Sequence, residues 1–123
     1  WGPTPAQVRY EGREDLGNSK AGDGYKFRGH GLIQITGRAN HAVARDRLRV
    51  KFGIRVPDFE QEPERLAEPE WSAYAAGDYW DRHGLNALAD EMDFLRITRK
   101  INGGVNGYSD RMARYETAQS VLA

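Results

Sequence analysis

Residues 27–38 read FRGHGLIQITGR, and the texture of the chain changes across them. Ahead of this stretch, glycine and proline interrupt the sequence every few residues. Behind it, residues 38–51 contain neither, and Gly53 is the first stop. Within Leu32-Ile33-Gln34-Ile35-Thr36, apolar and polar side chains alternate with a period of two, which predicts an extended segment. Ile33 and Ile35 then face one side, and Gln34 and Thr36 the other. One amide and one hydroxyl stand side by side, braced from behind by two isoleucines.

Outward toward the N-terminus, Trp1-Gly2-Pro3-Thr4-Pro5 and the glycines at 12, 17, 22, 24, 29 and 31 mark a loop-rich region. Leu16-Gly17-Asn18 and Gly22-Asp23-Gly24 read as tight turns. Outward toward the C-terminus the chain is helical. Residues 38–51 form a first helix, and Pro63-Glu64-Arg65-Leu66 a short one with proline in its first turn. Glu70 to His83 places Trp71, Tyr74, Ala75, Tyr79 and Arg82 at helical spacing, with Gly84 as the stop. Asp93 is an N-cap for Phe94 to Ile101, and Ser109 or Asp110 caps a last helix bearing Met112, Tyr115 and Leu122. The fold class is mainly α, with one short extended or β segment near residues 25–36, where a small hairpin fits the pattern. Trp71, Tyr74, Tyr79 and Trp80 read as core.

The 123 residues are 39% hydrophobic and 29% charged, with a mean hydropathy of −0.77. That length is a single domain, 1–123. No apolar run approaches the length of a membrane span, and 11% aromatic residues is too rich for a disordered chain. There is no cysteine, which excludes disulfides and thiolate chemistry. His30, His41 and His83 show no metal-ligand spacing, so no metal is expected. The chain starts at Trp1, without an initiator methionine or a signal peptide, and reads as a fragment in which Trp1 has lost packing partners.

Net charge is zero but segregated. Residues 1–56 hold eleven Lys/Arg against five Asp/Glu, residues 57–95 two against eleven, and residues 96–123 five against two. A basic first half suits an anionic polymer, or it is a solvated surface. The neutral total and the lack of a binding motif disfavour nucleic acid. Gly-x-Ser-x-Gly, P-loop and dinucleotide fingerprints are absent. Two amide-rich loops remain, Gln34/Thr36/Asn40 and Asn102/Asn106. Amides and hydroxyls beside aromatics suit a neutral, hydroxyl-rich ligand such as a sugar, although asparagine is also an ordinary turn residue.

YEGREDLGN, GDGYKFRGHGLIQITGRAN, GLNALAD, ITRKINGGVNG and SDRMARYETA occur in that order. Together they resemble the glycoside hydrolase family 19 chitinases, most closely the bacterial and phage endolysin branch. The resemblance implies a lysozyme-like helical domain and inverting hydrolysis of β-1,4 bonds in peptidoglycan or chitin, with no cofactor. One carboxylic acid protonates the leaving oxygen, and a second carboxylate activates water from the opposite face. By that resemblance Thr36 matches the hydroxyl that positions the water, and Gln34, Asn40, Ile101 and Asn102 match substrate contacts. Arg111 matches an arginine of the catalytic carboxylate network, and is expected to be held by a carboxylate. The implied site of action is the bacterial cell wall.

The chain departs from the family where the chemistry lies. The family's His-Glu-[Ser/Thr]-Gly motif and its second glutamate are absent, so the sequence reads as the C-terminal portion of a family 19-like catalytic domain. The acid and base are then expected on an upstream segment or a separate chain. Glu11 is the internal substitute to consider, beside Arg9 and Arg13. Asp90, Glu91 and Asp93 form a second cluster, in which Asp93 has a cap to make. His30 stands where arginine is common and His41 where tyrosine is common, which predicts an altered aromatic wall to the cleft. Two further readings stay open: a saccharide-binding remnant without chemistry, and a helical interaction domain recruited through the acidic segment 57–95.

Overall fold

A computed structural model describes residues 2–123; Trp1 and its packing lie outside the described residues. The chain is mainly helical, with seven α-helices among the described residues. It forms two compact units, one ending at Tyr79 and one running Trp80–Ala123.

In the first unit, α1 (Pro5–Val8) begins with a capping box. Thr4 Oγ1 accepts the Gln7 N–H at 3.3 Å, and Gln7 Oε1 accepts the Thr4 N–H at 2.8 Å. The single turn α2 (Asp23–Lys26) follows Gly22, so the Gly22-Asp23-Gly24 turn is the start of a short helix. Then comes α3 (Arg38–Phe52), ending at Gly53 as its composition predicts. Residues Pro63–Ala67 form the expected proline-led short helix, in 3-10 geometry. α4 (Pro69–Arg82) continues past Tyr79, so its last residues belong to the second unit.

Helical spacing builds the core. Ala44 and Leu48 on α3, and Trp71 and Ala75 on α4, are i, i+4 pairs whose buried faces join Val56, Phe59 and Leu66. Ile35 and Phe52 pack against that cluster. Trp71 is core as predicted, whereas Tyr74 is 41% exposed and lies against Phe52 with ring centroids 4.3 Å apart.

The charge blocks of the sequence recombine here. Arg45 bonds Asp58 and Glu60 at 2.7 and 2.8 Å, Arg47 bonds Asp78 at 2.8 Å, and Arg55 bonds Glu70 at 2.8 Å. Arg38 bonds buried Asp23 at 2.7 Å and reaches Glu60 at 3.7 Å. Much of the acidic segment is therefore the internal counterion of the basic one. Of its eleven carboxylates, Asp58, Glu60, Glu70 and Asp78 are engaged in this way.

The second unit holds α5 (Leu85–Asp90), which the composition did not announce, then α6 (Phe94–Asn102) and α7 (Tyr108–Leu122). Asp93 caps α6 as expected, its Oδ1 accepting the Arg96 N–H at 3.0 Å. The cap of α7 is Gly107, not Ser109 or Asp110, because a left-handed glycine at φ +77° already turns the chain there. Leu85, Leu88 and Ile97 are buried, and Phe94 stacks on Tyr115 at 4.9 Å. No residue of α7 is buried, and Leu122 is 84% exposed.

Candidate functional site

The Leu32–Thr36 alternation does not make a strand. His30 and Ile35 form one antiparallel bridge, exchanging N–H···O bonds at 3.1 Å, and residues 31–34 close a turn between them. Gln34 has φ +54°, a left-handed conformation uncommon outside glycine. That twist breaks the period of two after Ile33. Ile35 still reaches the core, but Leu32 is 77% exposed at the tip. The turn is tied down by Ser72, a buried hydroxyl on α4 that accepts the Leu32 N–H at 2.7 Å. A serine on a helix gives no sequence signal for that role.

The three polar candidates of this unit form one hydrogen-bonded row. Gln34 Nε2 donates to the Gly31 carbonyl at 2.9 Å, Thr36 Oγ1 to the Gln34 carbonyl at 3.0 Å, and Asn40 Nδ2 to the Thr36 carbonyl at 2.8 Å. A carbonyl accepts only, so each amide must turn its NH2 inward. Gln34 Oε1, the Thr36 hydroxyl lone pairs and Asn40 Oδ1 are left as a preoriented set of acceptors. Gly29 makes room for the first of them, since a β-carbon there would run into the Gln34 carboxamide.

Buried in the same unit are His30 and His41, 6% and 0% exposed. His41 Nδ1 donates to the Gly37 carbonyl at 2.8 Å, which fixes its Nε2 as an acceptor. His30 Nδ1 then donates to that Nε2 at 2.9 Å, and His30 Nε2 is a buried acceptor with no hydrogen-bond partner. Both rings are neutral in this arrangement. Burial drives the His41 pKa down to about 4, the Gly37 carbonyl partly opposing it and His30 adding to it. Burial, then the charge of Arg28, lowers that of His30, while Glu64 opposes. The expected aromatic cleft wall is corrected on this point: His41 is fully buried, packed edge-on to Phe27 at 5.2 Å.

Glu11 is committed elsewhere in the unit. Its two carboxylate oxygens accept the backbone N–H groups of Gly22 and Gly24 at 2.7 and 2.8 Å, latching the start of α2. Arg13, expected beside it, is held by Asp15 at 2.5 Å. Asn18 was legible only as a turn residue and is the deeper organiser. Fully buried, it donates to the Tyr10 carbonyl and accepts the Arg38 N–H, each at 2.9 Å. The first turn of α3, and so Asn40, is positioned through it.

In the second unit, Asn102 ends α6 and its Nδ2 donates to the Asn106 carbonyl at 2.5 Å, closing the glycine-rich loop. Ile101 and Arg111 line an open groove of about 350 Å³ together with Trp80, Phe94, Ile97 and Tyr115. Among the described residues no carboxylate lies within ion-pair distance of Arg111. Asp90 and Glu91 are exposed. Among the described residues no three His, Cys, Asp or Glu side chains gather as a metal site, and no helix is long and apolar enough to cross a membrane.

No family model matches the chain. A curated protein of Haemophilus influenzae, described as a glycosyl hydrolase family 19 domain-containing protein, is 39% identical to it over 107 residues. The fold of the chain is mainly helical, and its likeness to that family rests on this relative. Its resemblance to glycoside hydrolase family 19 holds over 86% of its length. The same alignment covers 48% of the relative, so the chain spans about half the length of the curated protein it matches.

Proposed function

We propose that these residues are the saccharide-binding part of a family 19-type glycosidase that inverts β-1,4 bonds in peptidoglycan or chitin. The acceptor row of Gln34, Thr36 and Asn40 carries the reading. Sugar hydroxyls and acetamido N–H groups are donors, and three acceptors fixed by backbone carbonyls suit them without reorganisation. In this reading Thr36 orients the attacking water through its free lone pairs, Ile101 and Asn102 contact substrate, and Arg111 awaits a carboxylate from outside the described residues. The acid and base come from sequence outside this chain, because Glu11 is already fitted to two backbone donors. That same latch favours one alternative, saccharide binding without turnover.

The chain itself provides the test. Titration of ¹⁵N-labelled protein with the β-1,4 tetramer of N-acetylglucosamine should shift the amide signals of Gln34, Thr36 and Asn40 saturably. Asn40→Ala should weaken that binding about tenfold, the loss of roughly one good hydrogen bond. No shift at millimolar sugar would sink the proposal. Release of reducing ends from peptidoglycan by the 123 residues alone would instead show that an acid and base exist within them. The alternative is separated by a longer protein carrying the family's glutamate motif: turnover rejects it.

Gly29→Ala provides a second check on the row. The added methyl should swing the Gln34 amide away and weaken saccharide binding several-fold. The thermal midpoint should stay within about 4 °C, since a side-chain end can yield more cheaply than backbone. Unchanged affinity would mean that Gln34 Oε1 makes no contact with sugar.

A further inference from the structure

The two segments that carry the acceptor row are joined through a pair of buried imidazoles. His30 precedes the turn that holds Gln34, and it exchanges backbone bonds with Ile35 after that turn, each at 3.1 Å. His41 follows Asn40 in the first turn of α3. Its Nδ1 donates at 2.8 Å to the carbonyl of Gly37, the residue after Thr36. Between the rings, His30 Nδ1 donates to His41 Nε2 at 2.9 Å. One side-chain hydrogen bond thus ties the Gln34 turn to the helix that presents Asn40. These are also the two positions at which the chain departs from its family motif, and the departures touch each other.

We infer that His30 and His41 are positioning residues for the Gln34–Asn40 row: the neutral imidazole pair clasps the turn to α3, and a proton added to the pair releases the row. This rests on the saccharide reading of the row and adds its regulation by acid. The shared bond places one hydrogen between two nitrogens. A proton on His41 Nε2 would set two N–H groups against each other. A proton on His30 Nε2 would leave a buried donor facing no acceptor, since that atom has no hydrogen-bond partner. Either conflict is relieved by parting the rings. The turn yields before the helix, because α3 is anchored in the core through Ala44 and Leu48, whereas the turn ends in an exposed Leu32. Gln34 and the Gly31 carbonyl that orients it lie in the part that moves. Burial opposes a proton on both rings most strongly; Arg28 also opposes one on His30, and Glu64 in Pro63–Ala67 favours it. Lys26 and Arg38 lie over the ring of Phe27, which packs on His41, and Asp23 neutralises the arginine.

The test uses the neutral N-acetylglucosamine tetramer, which carries no titrating group, so any pH dependence belongs to the protein. Calorimetric titrations at half-unit steps from pH 7.5 to 3.5 give the affinity, and circular dichroism of the same samples marks where the chain is folded. Affinity should be level at neutral pH, halve near pH 4, where burial places the His41 midpoint, and decline further with the share of molecules whose pair is still neutral. By linkage, saturating tetramer should lower the imidazole midpoint followed through ¹⁵N shifts. His41→Leu, without the clasp, should bind about tenfold more weakly at pH 7.5. His41→Gln, which can keep both bonds and takes no proton, should bind within about twofold of the wild type there and lose the acid dependence. Equal affinities of the wild type and a folded His41→Leu, an acid loss that persists in His41→Gln, or an imidazole midpoint that the tetramer leaves unmoved would each overturn the inference and leave the saccharide reading standing. A wild type that fails to bind the tetramer at pH 7.5 overturns both.

Discussion

Between pH 6.5 and about 4 the protein should lose on the order of 3 kcal/mol of unfolding free energy, because His41 is buried neutral. The sign follows from proton counting. In the unfolded chain His41 takes up a proton near its ordinary pKa of 6.5, whereas the folded ring resists until about 4. Within that window the unfolded state binds more protons, so stability falls as pH falls, is level above it and stops falling below it. His30, also lowered by burial, adds in the same direction. Asp23 and Asp58 act at more acid pH. Their carboxyls are held below the usual range chiefly by hydrogen bonds from Arg38 and Arg45, with burial opposing, and that stability disappears only as they protonate. Urea unfolding followed by tryptophan fluorescence, at half-unit steps from pH 7.5 to 4, measures the slope. His41→Gln, which can donate to Gly37 and accept from His30, should flatten it. A slope that survives that substitution would assign the effect to other groups.

Asn18→Ala is expected to cost roughly 2–4 kcal/mol, because it leaves the Tyr10 carbonyl and the Arg38 N–H without partners in a buried place. The loss should be concentrated locally, with the first turn of α3 exchanging its amide hydrogens faster than the rest of that helix. Since Asn40 lies in that turn, saccharide affinity should decline even at temperatures where the chain remains folded. Equilibrium unfolding and native-state hydrogen exchange check both parts. A cost under about 1 kcal/mol would mean that water replaces the amide at both ends.

The helices were legible where local chemistry is decisive. Gly53 ends α3, Asp93 caps α6, and Pro63 opens a short helix, each through a contact made within a few residues. Reading failed where the deciding partner is distant. Nothing near Leu32 announces that its N–H will find Ser72, forty positions on, or that residues 31–34 will close a turn between His30 and Ile35. The alternation of Leu32–Thr36 is real but too short to overrule a left-handed Gln34. Asn18 and Glu11 illustrate the same limit. Each satisfies backbone groups of another segment, so a turn residue and a candidate acid by composition become fasteners in three dimensions. The family motifs singled out Gln34, Thr36 and Asn40, but only the fold shows that each spends its donor on a carbonyl.

The recombined charges bear on how the chain is made. Residues 1–56 emerge as a net polycation, and the carboxylates that neutralise Arg45, Arg47 and Arg55 are encoded only between Asp58 and Asp78. While that interval is still being synthesised, α3 carries its arginines with most of their intended counterions missing, and self-repulsion opposes compaction. Closure of the first unit needs its later half, which supplies both these counterions and the Trp71 and Ala75 side of the core.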